Sequence, residues 1–229
     1  MNIGLNGRSP LQFIFINGRG SSGKDTQANL LVEDNENAVR LSTGEMYRNA
    51  RNPEHPMHEV VAPYIEASDK GAYLPQEVVF KLVDRSIAEQ LQEGKNTFIF
   101  TGFPRTDEQL TSLDSYLNDI KEEGVSLETP KFLDYAIDPE ISRERANIRR
   151  TQFLADGLEP RADDNPEVVE NRLQTYDQLT QPMLDRLNQE GRLITIPAVG
   201  SINEVAELTR EVLGFAPIGE GMRPMQERK

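Results

Sequence analysis

The chain has 229 residues, enough for one sizeable domain with a well-developed hydrophobic core. Its 25 lysines and arginines stand against 38 acidic residues, and the net charge of −13 argues against a protein that coats nucleic acid or anionic membranes. The absence of cysteine excludes disulfides and thiolate metal sites, and no apolar run approaches the roughly 20 residues of a membrane span. Residues 1–10 also lack the pattern of a signal peptide. We therefore expect a cytoplasmic globular protein without a nucleic-acid or membrane partner.

A glycine-rich loop follows the first predicted strand, the apolar run 13–16. It reads Gly18-Arg19-Gly20-Ser21-Ser22-Gly23-Lys24-Asp25-Thr26. This matches the pattern of a phosphate-binding loop, Gly-x4-Gly-Lys-Ser/Thr, except that Asp25 precedes the hydroxyl residue. Glycines allow successive backbone N–H groups to point at phosphate oxygens, and Lys24 and the start of the next helix add positive charge. The alternative, a glycine-serine turn with an exposed lysine, does not account for the strand before it and the helix after it.

Four more apolar, β-rich runs lie at 38–41, 97–100, 132–137 and 193–196. The first run and 98–100 are continuously apolar, as expected of strands that are covered on both faces. Between the runs lie segments with the apolar spacing of helices. The alternation predicts an α/β domain in which helices cover both faces of a parallel sheet of about five strands.

Three helix starts are legible in the second half of the chain. Asp138-Pro139 and Asn165-Pro166 each place a capping side chain before a proline of the first turn. The segment 201–204 begins with Ser and ends with Glu, which is the pattern of a capping box.

Four blocks of the sequence, in order, resemble the adenylate kinase family. They are Gly23-Lys24-Asp25-Thr26-Gln27-Ala28, the segment 41–48, the segment 102–109, and Arg161-Ala162-Asp163-Asp164 with Arg172 eleven residues after Arg161. The resemblance covers 13–213 and implies a single domain with the three-layer P-loop NTPase fold. It also implies a helical acceptor-binding segment at about 42–74 and a short lid at about 150–161. We expect the termini, 1–12 and 214–229, to be poorly ordered.

The resemblance implies a kinase that transfers the γ-phosphoryl group of ATP to AMP, forms two ADP, and uses Mg²⁺ with ATP. The implied ATP-binding residues are Gly18, Gly20, Ser21, Ser22, Gly23, Lys24, Asp25, Thr26, Arg145, Arg149 and Gly200. The implied AMP-binding residues are Thr43, Gly44, Arg48, Ala72, Tyr73, Leu74, Gly102, Phe103, Pro104, Arg105, Gln109, Arg161 and Arg172. Thr26 is the implied magnesium ligand, and we expect a monomer.

Such a reaction depends more on positioning and charge neutralisation than on covalent chemistry. The implied catalytic residues are therefore all cations: Lys24, Arg105, Arg149, Arg161 and Arg172. By the same resemblance, Arg48 helps Arg105 to hold the acceptor phosphate, and Arg145 lies over the donor adenine. The residues alone allow another interpretation, in which the arginines after Asp138 form a solvated helix face paired with Glu140 and Glu144.

Two further assignments have alternatives of their own. Gln109 either recognises the acceptor base, as the resemblance implies, or completes a capping box with Thr106. Asp163 and Asp164 are either lid-hinge carboxylates that pair with arginines or an acidic helix start.

The resemblance favours AMP as the acceptor, because Thr43 and Gln109 are the residues that adenylate kinases carry in these blocks. Only 12 positions separate Arg149 from Arg161, so the lid is predicted to be short, and without cysteines it is predicted to hold no zinc. Gly157 supplies a flexible point for a moving loop.

The sequence departs from the family at two places that concern magnesium. The family has Asp before the Gly-Phe-Pro-Arg block, where this chain has Thr101, and it has Gly where this chain has Asp25. We interpret the pair as a relocation, in which Asp25 takes over the contact with magnesium through water. Otherwise Asp25 points away as an ordinary first-turn acid, or Asp134 or Asp138 serves instead.

Two rival functions follow from the same loop. One is a UMP/CMP kinase or another small-metabolite kinase of the same fold. The other is a nucleotide-binding module without turnover, which Thr101 alone favours.

Overall fold

A computed structural model of the chain describes residues 9–33 and 35–215. Its sheet has five parallel strands in the order β2-β3-β1-β4-β5. The strands are β1 (Gln12–Asn17), β2 (Ala38–Ser42), β3 (Thr97–Thr101), β4 (Lys131–Ala136) and β5 (Leu193–Pro197). They coincide with the five predicted runs, so the predicted α/β fold class is confirmed.

The helices of the described residues connect these strands. They are α1 (Lys24–Glu33), α2 (Thr43–Ala50), α3 (His58–Val61), α4 (Ile65–Asp69), α5 (Gln76–Gln92), α6 (Asp107–Glu122), α7 (Pro139–Ala155), α8 (Pro166–Thr175), α9 (Gln181–Gln189) and α10 (Ile202–Leu213). A 3₁₀ turn, Ala162–Asp164, precedes α8, and a π-helical turn, Tyr176–Thr180, joins α8 to α9. Helices α2 to α4 lie between β2 and α5, where the helical acceptor-binding segment is predicted.

Alternate side chains of each strand point to opposite sides of the sheet, so the strands contribute to two apolar faces, and helices bury both. On one face Phe13, Phe15, Phe98, Phe100 and Phe132 stack on one another, with ring centroids 4.9 Å apart for Phe15 and Phe132. This aromatic face packs against α5, α6 and α9. The opposite, aliphatic face packs against α1 and α10. The result is three layers, with the helices placed by the burial of two different apolar surfaces.

The strand register brings the loops that carry the sequence motifs to one edge. Ile16 pairs with Thr101, and Thr101 pairs with Ser42, so β1, β2 and β3 end at the same level. In open parallel sheets, ligands bind at the carboxyl ends of the strands. The candidate site is therefore expected where β1 and β3 end.

Two of the three predicted helix caps form as expected. The Asn165 side chain accepts a hydrogen bond from the backbone N–H of Glu167 at 3.0 Å, and Ser201 and Glu204 form a complete capping box. Asp138 occupies the N-cap position of α7, but its side chain makes no capping hydrogen bond. The prediction of a side-chain cap was wrong there, and Pro139 by itself suits the first turn of α7.

The lid region begins within α7, which continues to Ala155. Gly157 follows with a φ of +70°, a conformation that L residues rarely adopt. At the termini, Leu11 is buried and Gln12 begins β1, whereas 1–8 and 216–229 lie outside the described residues. Among the described helices, none is long and apolar enough to span a bilayer.

Candidate active site

The loop between β1 and α1 has a backbone that only certain residues can adopt. Gly18 has a φ of +139°, and a Cβ there would lie 2.7 Å from the Tyr135 carbonyl oxygen and 2.7 Å from Ser22 Oγ. Gly23 has a φ of +88°, and Ser21 has a φ of +60°. The glycines at 18 and 23 are therefore required by the backbone path, which curls the loop toward the start of α1.

Lys24 is the first residue of α1 and lies at the centre of the site. Its Nζ donates a hydrogen bond to the Arg19 carbonyl oxygen at 3.3 Å. Burial lowers the pKa of Lys24; Asp25 opposes this effect, and the positive charges of Arg105, Arg172 and Arg149 add to it. These arginines come from three other parts of the chain, so the fold gathers the predicted cations around the lysine.

A cleft of about 480 Å³ opens at the carboxyl edge of the sheet. It is lined by most of the predicted site residues, namely Gly18, Gly20, Ser21, Lys24, Asp25, Thr43, Gly44, Arg48, Ala72, Tyr73, Leu74, Gly102, Arg105, Gln109, Arg149, Arg161, Asp163 and Arg172. The predicted residues that do not line it are Ser22, Gly23, Thr26, Phe103, Pro104, Arg145, Asp164 and Gly200. Phe103 and Asp164 are buried behind the wall, and Gly200 lies beyond the end of β5.

Arg105 is held against the wall of the cleft by contacts that leave its positive charge unpaired. Its Nε donates to the Gly102 carbonyl oxygen at 2.6 Å, and its guanidinium lies over the Tyr73 ring at 5.0 Å. Gly102 has a φ of +71°, and a Cβ there would meet Arg105 Nη2 at 2.6 Å. Burial lowers the pKa of Arg105, and Arg172 adds to the effect. Among the described residues, neither Arg105 nor Lys24 forms an ion pair.

Arg149 and Arg172 are paired with the two predicted hinge carboxylates. Arg149 binds Asp164 through two hydrogen bonds, and its Nε lies 2.8 Å from Asp164 Oδ2. Arg172 Nη1 donates to Asp163 Oδ2 at 2.8 Å. The cap of α8 is Asn165, so neither carboxylate caps that helix, and the lid-hinge role of Asp163 and Asp164 stays a prediction.

The alternative for α7, a solvated arginine face, describes Arg143 and not Arg149. Arg143 pairs with Glu140 at 3.2 Å and with Glu170 at 2.5 Å on the surface. Arg145 turns toward the loop, where its Nη1 donates to the Ser21 carbonyl oxygen at 3.4 Å. One helix therefore carries arginines with three different environments.

Thr43 and Gln109, the residues that favour AMP, both line the cleft and are buried. The Thr43 hydroxyl donates to the Gly102 carbonyl oxygen at 2.9 Å. Gln109 Oε1 accepts from the backbone N–H of Arg105 at 2.7 Å, while the Thr106 hydroxyl caps α6 by accepting from the Gln109 N–H at 3.2 Å. The Gln109 side chain thus fixes the backbone of Arg105 and does not complete a capping box with Thr106.

The two departures from the family, Asp25 and Thr101, meet in the structure. The Thr101 hydroxyl donates to Asp25 Oδ1 at 2.6 Å. Burial disfavours ionisation of Asp25, but Lys24, the Thr101 hydrogen bond and Arg40 outweigh it and hold the pKa of Asp25 below its ordinary value. Asp25 also lines the cleft, so the alternative in which it points away as an ordinary first-turn acid is wrong.

Sequence reasoning missed Arg40, which connects Asp25 with α2. Its Nη1 lies 3.1 Å from Asp25 Oδ1, and its Nη2 lies 2.7 and 2.6 Å from the two carboxylate oxygens of Glu45. A charged residue within the apolar run 38–41 was the signal that could have identified it.

The sequence also did not predict two ion pairs that join segments around the site. Arg51 pairs with Asp69 at 2.7 Å and ties α2 to α4. Arg19 of the loop pairs with Asp177 at 2.5 Å and lies over the Tyr176 ring at 4.6 Å, which ties the loop to the π-helical turn. Both contacts join segments distant in sequence, so no local pattern indicates them.

A glycine-rich loop, its lysine and a set of facing arginines at the edge of a parallel sheet define a P-loop phosphotransferase. The family model for adenylate kinase matches residues 16–192. An adenylate kinase of Jannaschia sp. (strain CCS1) is 36% identical over 87% of this chain and 98% of its own length. Those of Bifidobacterium longum and Deinococcus radiodurans are 34% and 32% identical, over 84% and 85% of this chain and 95% and 92% of their own lengths. The chain belongs to the adenylate kinase family and is a nucleoside monophosphate kinase.

Proposed function

We propose that this chain transfers the γ-phosphoryl group of ATP reversibly to AMP and forms two ADP. The observation that carries the proposal is that Lys24 and Arg105 line one cleft with unpaired positive charges. Arg149 and Arg172 line the same cleft, and their charges help to lower the pKa of Lys24. Desolvated like charges repel one another, and nucleotide phosphates supply the negative charge that balances them. A cleft built this way binds two phosphate chains more readily than neutral ligands.

On the donor side, the loop backbone and Lys24 bind the β- and γ-phosphates. Arg145, which reaches the loop at Ser21, extends over the donor adenine, and Gly200, which follows the end of β5, contributes to the donor site. Arg19 supports this arrangement because its pairing with Asp177 holds the loop from the side opposite to α1.

On the acceptor side, Arg48 and Arg105 hold the phosphate of AMP. Thr43 and Gln109 contact its base, and the backbone of 72–74 packs around it. The support is that both side chains are buried and line the cleft. A base with a different pattern of donors and acceptors leaves such groups unpaired, which discriminates strongly between acceptors.

Arg149, Arg161 and Arg172 act on the transferring group. Planar guanidinium groups donate parallel hydrogen bonds to phosphoryl oxygens, and preorganised donors stabilise the charge that develops in the transition state. Movement of the lid at 150–161 excludes water, which otherwise accepts the phosphoryl group and hydrolyses ATP.

The residues present fit magnesium, which the family uses with ATP. Hard oxygen donors are the Asp25 carboxylate, which lines the cleft, and the Thr26 hydroxyl, which follows it in the first turn of α1 but does not line the cleft. Among the described residues, no group of three or more His, Cys, Asp or Glu could hold a metal ion. Mg²⁺ commonly binds through one or two protein ligands together with substrate phosphates and water, so this donor set is sufficient. When bound, the ion neutralises phosphate charge.

The test is a panel of nucleoside monophosphates assayed with ATP and Mg²⁺. We expect the highest kcat/KM for AMP, with ADP as the product. A higher kcat/KM for UMP or CMP overturns the choice of acceptor. Tight nucleotide binding without any ADP formation overturns the kinase activity in favour of a binding module.

A further inference from the structure

The Asp25 carboxylate is anchored through only one of its two oxygens. Thr101 and Arg40 both donate to Oδ1, at 2.6 and 3.1 Å. No described residue donates a hydrogen bond to Oδ2. The side chain lines the cleft and is 52% exposed, so Oδ2 is left with hydrogen-bonding capacity for a ligand bound beside Lys24.

The two donors that hold Oδ1 are themselves fixed. Thr101 is 1% exposed at the end of β3, between β2 and β1. The Arg40 side chain is 15% exposed, and its other nitrogen binds both carboxylate oxygens of Glu45, in the first turn of α2. A carboxylate that is already held by hydrogen bonds from such partners loses less conformational entropy when it binds a further ligand.

A carboxylate at this position is unfavourable for ATP alone. Asp25 directly follows Lys24 at the start of α1, where the loop binds phosphate groups in the proposed function. A carboxylate and a phosphate that lie close together repel each other. The conflict disappears when a divalent cation lies between them. The role of a first-turn acid does not explain the arrangement, because such a role needs no hydrogen bond from β3.

We propose that Asp25 holds the water shell of the magnesium ion bound with ATP through its Oδ2, and that Thr101 and Arg40 are the residues that position it. This inference rests on the proposed function, because it takes ATP as the ligand of the loop. The structure assigns to Asp25 two opposite effects: it weakens the binding of metal-free ATP and strengthens the binding of ATP with magnesium.

The experiment compares the dissociation constants of a non-hydrolysable ATP analogue with Mg²⁺ and with EDTA, measured by calorimetry in the absence of AMP. In the Asp25→Gly variant we expect the affinity gained from Mg²⁺ to fall about tenfold. The metal-free analogue is expected to bind more tightly than it does to the wild type. A general loss of structure weakens both measurements, so shifts of opposite sign identify the carboxylate.

A second variant moves the carboxylate instead of deleting it. Because Thr101 Oγ lies 2.6 Å from Asp25 Oδ1, Asp25→Gly combined with Thr101→Asp returns a carboxylate to nearly the same point. We expect the double variant to regain most of the affinity gained from Mg²⁺. Asp107→Gly is the matched control, because Asp107 is also a first-turn acid but lies outside the cleft. In this variant the ratio of the dissociation constants with EDTA and with Mg²⁺ is expected to equal that of the wild type.

The positioning residues are tested by variants that keep the Asp25 charge. Thr101→Val and Arg40→Lys should lower the affinity gained from Mg²⁺ about threefold and leave metal-free binding nearly unchanged. Asp25→Asn serves if Asp25→Gly does not fold, because it keeps an acceptor for Thr101 and removes only the charge.

The inference is overturned if Asp25→Gly and Asp25→Asn have the same ratio of dissociation constants with EDTA and with Mg²⁺ as the wild type. It is also overturned if Mg²⁺ does not increase the affinity of the wild type for the analogue. Failure of the proposed function looks different. In that case the wild type forms no ADP from ATP and AMP, whatever the binding measurements show.

Discussion

Arg149 binds Asp164 through two parallel hydrogen bonds, and the carboxylate that accepts them is 0% exposed. A guanidinium has five N–H donors, so three remain for other partners, and Arg149 lines the cleft. The pair connects α7 with the 3₁₀ turn before α8, on either side of the lid. It therefore both orients a proposed catalytic arginine and joins the two ends of the proposed lid.

Arg149→Met is expected to lower kcat about 10²- to 10³-fold, because it removes donors directed at the transferring group. Arg143→Met is the matched control on the same helix. Arg143 pairs with exposed carboxylates, so this variant should keep kcat within about twofold of the wild type. Steady-state assays of both variants check the prediction, and equal losses in the two contradict it.

Asp164→Asn is expected to lower the free energy of unfolding by about 2 kcal/mol, because asparagine has one acceptor oxygen, so one of the two hydrogen bonds from Arg149 is lost and an amide NH2 faces a guanidinium N–H. Asp163→Asn should cost less, since Asp163 makes one such bond and its side chain is 23% exposed. Urea denaturation of both variants measures the difference. The reverse order of stability excludes the buried pair as the stronger contact.

Gly18→Ala is expected to destabilise the fold by about 1–3 kcal/mol, because it forces alanine into a φ of +139° and against the Tyr135 carbonyl oxygen. Gly20→Ala should be nearly neutral for stability, since its Cβ meets only Ser142 Oγ, at 3.8 Å. Thermal unfolding of the two variants separates a glycine required by the backbone from one that is not. Similar melting temperatures for both argue against the steric explanation.

Gln109→Ala is expected to raise the KM for AMP about 10- to 10²-fold, because it deletes a buried polar group at the acceptor end and frees the Arg105 backbone. Thr106→Ala removes the cap of α6 and should cost about 1 kcal/mol of stability with little change in KM. Kinetics and denaturation of the pair distinguish acceptor binding from helix capping. A raised KM in Thr106→Ala alone assigns the effect to the cap.

The central elements were predictable because their signals are local. Continuous apolar runs predict the aromatic strands, and glycines and Lys24 at fixed spacing predict the loop. The partners of the arginines were not predictable in this way. Arg143 and Arg149 belong to one helix with similar neighbours, yet one pairs on the surface and the other with buried Asp164. The Gln109 side chain also accepts its hydrogen bond from the backbone N–H of Arg105, which the capping-box pattern does not predict.

The amino-acid sequence alone determined the order of strands and helices, the phosphate-binding loop and the presence of an arginine set, since each depends on contiguous residues and their periodicity. Only the tertiary structure decided that Thr101 and Asp25, 76 residues apart, share a hydrogen bond, and that Arg40 joins them to Glu45. Such contacts depend on the register of β1, β2 and β3, which is set by burial of the whole sheet and leaves no trace in any short segment.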